Sequence, residues 1–169
     1  RAKAYRYQLS RPFSQLIIPE NVLQEVLPSS GIMIHGPKAF HAAYRFFDDY
    51  KLFAQYLPCK GRSALGTVFR VGHTWQVTDK GSGRNNMIGI LATENNTEVT
   101  ISGYNPNLVE FDGNPIKVTL QSGESFVIKH YVGGIGDDQP RNGFMGALLT
   151  ATKPVAVTSG SWLGAPVVY

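Results

Sequence analysis

The chain of 169 residues is 43% hydrophobic and 17% charged, with a formal net charge of +4. That balance excludes a disordered tail and suits one domain with a two-layer core, and no segment reaches the roughly 20 unbroken apolar residues of a membrane-spanning helix. Apart from Arg1, Lys3, Arg6 and Arg11, the cations are scattered and sit in no helix-turn-helix or RNP-like frame, so nucleic acid is not expected as a partner. Gly 18 and Pro 10 favour many short elements over a few long helices.

In chain order, residues 13–18 read as a strand ended by Pro19, and residues 21–27 place Val22, Leu23, Val26 and Leu27 at helical spacing for a turn or two. Residues 28–31 form a turn and 32–35 a short strand closed by Gly36-Pro37. Residues 39–57 fit an amphipathic helix by periodicity. Their aromatic content and the alternation of Phe40, Ala42, Tyr44 and Phe46 also fit two strands joined at Asp48-Asp49. Strands are expected at 65–71 and 74–77, with a polar loop at 79–85.

Three similar patterns follow. Residues 87–92 and 99–101 flank a polar knot at Asn95-Asn96; residues 116–120 and 125–128 flank 121–124; residues 146–149 and 154–157 flank 150–153. Asn tolerates positive φ, so the first reads as a hairpin around a tight turn, and the other two repeat its pattern, with Pro154 opening its strand where a missing N–H costs least. Residues 133–143 form the longest soft loop. About ten short strands with regular turn signals predict an all-β chain, an antiparallel β-sandwich of two sheets with at most one short helix, forming a single domain over residues 1–169.

Certain stretches resemble the IgGFc-binding protein N-terminal family. Leu57-Pro58 followed by Ala-Leu-Gly-Thr-Val-Phe-Arg-Val at 64–71 is similar to that family's "Leu-Pro … Leu-Gly-Thr-Glu-Tyr" stretch. Ile-Leu-Ala-Thr-Glu-Asn-Asn-Thr-Glu-Val-Thr-Ile at 90–101 resembles its "Ala-Thr-Glu-Asp-Asn-Thr-Thr-Val" segment. Val-Thr-Leu-Gln-Ser-Gly-Glu at 118–124 and the 143–161 stretch, with Lys153-Pro-Val-Ala-Val and Ser159-Gly-Ser, resemble its later strands and closing unit. The likeness spans about residues 30–164. It implies strands at 40–46 and 52–57 in place of the helix. The wording at 142–148 and 160–164 is closer to the bacterial branch of the family. That implies a large cell-surface adhesin or gliding-motility protein exported by type IX secretion. Because the chain opens on Arg1 and shows no sorting tail, a piece of a larger surface protein is expected.

Chemistry is sparse. Cys59 stands alone, so neither an internal disulfide nor a Cys-based zinc cage is available. Ser159 and Ser161 lack the spacing of a nucleophile elbow, and His35, His41, His73 and His130 lack paired-ligand spacing. Asp137-Asp138 with Asn142, or Asp48-Asp49, would supply oxygen ligands for calcium, but neither follows an EF-hand pattern. Trp75 and Trp162 are candidates for stacking on sugar rings. Asn95-Asn96-Thr97 fits an N-glycosylation acceptor. No catalytic, cofactor or metal residue is therefore assigned. The expectation is a non-enzymatic, extracellular, cell-surface adhesion or structural module without a cofactor. Its partners would be neighbouring modules of the same polypeptide or another surface protein, with glycan binding as the alternative. An open sheet edge would offer a template for strand pairing.

Overall fold

The computed structural model describes residues 24–28, 33–47, 54–72, 86–109, 111–129 and 143–161. Among these, alternation of side chains decides which face of each strand turns inward. In β5 (Asn86–Ala92) Asn86, Ile88, Ile90 and Ala92 are buried, and in β6 (Thr97–Ser102) Thr97, Val99 and Ile101 are buried. β7 (Ile116–Leu120) buries its two ends, whereas β8 (Ser125–Lys129) is covered on both faces. β9 (Leu148–Ser161) is the longest strand, at 14 residues. The others are β1 (Val26–Leu27), β2 (Ala43–Phe47), β3 (Ala54–Pro58) and β4 (Gly66–Arg70). Two short 3-10 turns, Gly61–Ala64 and Pro106–Leu108, are the only helical elements among the described residues. The all-β expectation holds.

The two-sheet detail of the expected sandwich is not confirmed by the strand pairing. Seven belong to one connected sheet in the order β1-β8-β5-β9-β6-β7, with β4 added on β9, while β2 and β3 form a separate ribbon. Every pairing is antiparallel.

The three expected hairpins are corrected by the register. β5 lies against residues 155–161 of β9, and β6 lies against residues 148–151 of the same strand. Both run against β9, so they follow one another along a single edge and do not pair with each other. On the opposite edge of this run, β8 pairs with β5 and β7 with β6. The β5–β6 pair and the β7–β8 pair are thus two long interrupted runs lying side by side. The third pattern is not interrupted in the same sense, because residues 148–161 are one strand. Asn96 does adopt the positive φ expected of it, at 54°. Its turn creates an offset inside a long ladder, not a reversal of the chain. Between Ala92 and Val99 the β5–β6 run inserts 93–98 where β9 has only 152–154. Pro154 lies within this irregular part of β9, where a missing N–H is tolerated just as at a strand end.

Other expectations meet the structure unevenly. The family-implied strands at 40–46 and 52–57 appear as the antiparallel ribbon β2–β3, with Ala43 opposite Pro58 and Phe47 opposite Ala54. Cross-strand pairing has overridden the helical count of apolar residues. The described part of the expected helix at 21–27 is extended: Val26 and Leu27 pair with Phe126 and Ser125, and Gln24 has φ 71° and donates its N–H to the Val127 carbonyl at 2.8 Å. Residues 33–35 form no strand. The strands expected at 13–18 and 74–77, the loop at 79–85 and most of that at 133–143 lie outside the described residues.

One core runs through both halves of the large sheet. Ile88, Ile90, Phe126 and Ile128 come from the β5–β8 half; Val99, Ile101, Ile116, Leu120 and Leu149 come from the β6–β7 half. Burying each such aliphatic side chain contributes on the order of 1.5–3 kcal/mol. The loops cap this core. Phe111 meets Phe126 edge-on at 6.1 Å, and Tyr104 packs on Phe144 at 6.1 Å.

Candidate functional surface

Among the described residues, those with the sharpest chemistry in the sequence are not brought together. Cys59 is exposed just beyond β3 and donates its backbone N–H to the Ala42 carbonyl at 3.0 Å. His35 and His41 are exposed on the stretch before β2. Ser159 spends its hydroxyl on the Gly72 carbonyl at 2.6 Å, and Ser161 ends β9 opposite Asn86. His73, His130, Trp75, Trp162, Asp48, Asp49, Asp137, Asp138 and Asn142 lie outside the described residues. Among the described residues no group of three or more His, Cys, Asp and Glu is placed to hold a metal ion.

The sheet instead assembles two polar features that spacing alone does not reveal. The first is a seam where the interruptions of the long runs meet. Asn96 and Gln121 bond reciprocally: the Asn96 backbone N–H donates to the Gln121 amide oxygen at 3.1 Å, and the Gln121 amide nitrogen donates back to Asn96 Oδ1 at 3.2 Å. Asn95 Oδ1 accepts from the Ser122 N–H at 3.0 Å, and the Ser122 hydroxyl donates to the Thr93 carbonyl at 3.0 Å. From the other side the Thr93 hydroxyl donates to the Pro154 carbonyl at 2.9 Å, and the Lys153 ammonium donates to the Asn95 carbonyl. Glu124 closes its own turn by accepting from the Gln121 N–H at 2.8 Å. Backbone groups that the ladder leaves unpaired at the offset are thereby satisfied. The Asn95-Asn96-Thr97 acceptor pattern falls here, with Asn95 exposed and Thr97 buried, its hydroxyl donating to the Glu94 carbonyl at 2.7 Å.

The second feature is the outer face of the β4–β9–β6–β7 half. Register sets Val68, Thr150, Thr100 and Lys117 in one row across four strands, and Arg70, Leu148 and Ser102 in the next. On the seam side Glu98 stands opposite Thr119, and its N–H donates to the Thr152 hydroxyl oxygen at 2.9 Å. β-branched threonines suit a strand while leaving hydroxyls on the surface, so this face is rich in hydrogen-bonding groups. Arg70 is held in place by donating to the Gly146 carbonyl at 3.0 Å. Val68 is 65% exposed, the most exposed large apolar side chain among the described residues. Such a surface can hold another macromolecule; nothing on it converges as a nucleophile, base and orienting group would.

Residues 56–167, more than half of the chain, match the family described as IgGFc binding protein. The chain belongs to that family. The matched span runs from within β3 to beyond the end of β9, and so takes in the seam and the whole outer face. No curated protein and no solved structure matches the chain. The IgGFc binding protein family is named for binding and not for a reaction. Among the described residues no helix is long and apolar enough to cross a membrane.

Proposed function

We propose that this chain is a non-catalytic, protein-binding module that works outside the cell, in an adhesive or structural part of a larger surface or secreted protein of the gliding-motility or adhesin kind. The observation that carries the reading is the family match over residues 56–167, because it covers the strands that build the polar outer face. The geometry supports it: a hydrogen-bonded sheet holds Thr100, Thr150, Lys117 and Arg70 in fixed rows, and such a scaffold presents a surface at little entropic cost. Immunoglobulin is not carried over as the partner, since no residue here identifies a surface for it.

An antibody raised against the chain tests this. It should label intact cells of the source organism, or its secreted fraction, and should reduce their attachment to protein-coated surfaces. Labelling that needs permeabilised cells sinks the reading. The carbohydrate-binding alternative rests on Trp75 and Trp162. A glycan array separates the two, since only the alternative expects binding that is lost in Trp75→Ala or Trp162→Ala while the fold is kept.

A further inference from the structure

β4 pairs with β9 along one edge, and among the described residues no strand pairs with its other edge. The ladder on the β9 side continues past Arg70, since Val71 exchanges both backbone bonds with Gly146 and Ala147 at 2.9 Å. Residues 68–71 are therefore held by backbone bonds on the β9 side, while Thr67, Val68 and Arg70 remain exposed. Unpaired N–H and C=O groups on such an edge are a template for another strand, and natural edges are usually blunted by a lysine, a proline or a bulge. Here the register irregularity lies between Gly66 and Val68, leaving the rest of the strand regular.

The segment that leads into and forms β4 carries charge of one sign. From Ala54 to Gly72 the chain has no Asp or Glu, and Lys60, Arg62 and Arg70 are all exposed. Among the described residues no carboxylate pairs with Lys60 or Arg62. On the outer face Val68 and Arg70 are same-face neighbours two residues apart, so an added strand would place its own alternate side chains beside them. A second copy of this chain is a poor occupant, because edge-to-edge pairing would gather these cations with no acid between them.

We propose that the edge of β4 to which no described strand pairs accepts an extended acidic segment of a partner protein as an added strand, with an apolar residue beside Val68 and a carboxylate beside Arg70. The proposal rests on the protein-binding reading above and gives it a location and a partner chemistry. Backbone bonds supply the attachment, while the Val68 and Arg70 positions supply the preference.

The test uses a short synthetic peptide in which Glu and Val alternate with Thr, and a counterpart with Lys for each Glu. The Glu peptide should bind the whole chain and slow hydrogen exchange of the β4 amides, and the Lys peptide should bind about tenfold more weakly or worse. Val68→Glu, at an exposed position that leaves the fold intact by circular dichroism, should weaken the Glu peptide by a similar factor, since it replaces the apolar contact with a like charge. The paired change Lys60→Glu with Arg62→Glu should narrow the difference between the two peptides. Absence of binding, equal binding of both peptides, or binding without slower exchange in β4 overturns the proposal. So does a dimer of the chain alone that Val68→Lys dissolves, which would assign the edge to a second copy. If cell-surface labelling and the block of attachment persist while the peptide fails, only the β4 edge is ruled out and the broader reading stands.

Discussion

Tyr104 pins the connection between β6 and β7 to itself through one hydroxyl. Its ring is buried on Phe144, and its O–H donates to the Gly113 carbonyl at 2.8 Å across the connection between β6 and β7. Burial favours the neutral phenol, so its pKa is raised from the ordinary value of 10.0. In the folded chain the proton is thus retained at a pH where the unfolded chain has released it. The resulting stabilisation is complete below the unfolded value, near 10, and is lost as pH rises through the folded one. Tyr104→Phe keeps the ring and removes both the bond and the titration. It should cost about 1 kcal/mol at neutral pH, and its stability should fall less steeply than that of the natural chain above pH about 10. Urea unfolding across that range measures both effects; parallel alkaline limbs for the two proteins would refute the assignment.

The seam is where individual residues become architecture. The Asn96–Gln121 pair makes two reciprocal bonds, so the two side chains should be coupled and not additive. Asn96→Ala loses the side-chain bond and also strains a backbone at φ 54°, whereas Asn96→Gly loses only the bond. Asn96→Ala should therefore be the more damaging of the two. Asn96→Gly and Gln121→Ala should each cost about 0.5–1 kcal/mol, and the double variant clearly less than their sum. Chemical denaturation of the four proteins closes that cycle, and strict additivity would mean the pair carries no shared interaction. The same segments show where sequence reading succeeds and where it stops. Strand positions β4 to β8 follow from short apolar runs set between turn residues, and positive φ at Asn96 follows from its side chain, because both are local properties. Pairing is not local. A polar knot between two apolar runs looks the same whether the chain reverses there or steps sideways along a neighbour, and the choice is made by β9, more than fifty residues away in sequence. For the same reason the Val68–Thr150–Thr100–Lys117 row could not be read in advance: its members share a face only once four strands are in register. For the ribbon β2–β3 periodicity alone favours a helix, and it took aromatic content together with the family likeness to favour strands.

At the scale of the whole molecule, the long runs and the short ribbon should behave as different cooperative units. One core joins both halves of the seven-stranded sheet, and β9 crosses from one half to the other without a break. Neither half can open without exposing aliphatic side chains that the other half covers, so their inner amides should exchange only through a common unfolding event. The ribbon is a separate two-stranded sheet, and a two-stranded hairpin is marginal by itself. Its amides should exchange through a smaller opening, with a free energy below that of the large sheet. Native-state hydrogen exchange in low denaturant reads the two populations directly. Amides of Ile88, Ile101 and Leu149 should converge on one opening free energy as denaturant rises, while those of Tyr44 and Leu57 should lie below it and depend weakly on denaturant. Convergence of the ribbon amides with the core would show that β2–β3 is part of the same cooperative unit. A split between Ile88 and Ile101 would show that the seam divides the sheet instead of joining it.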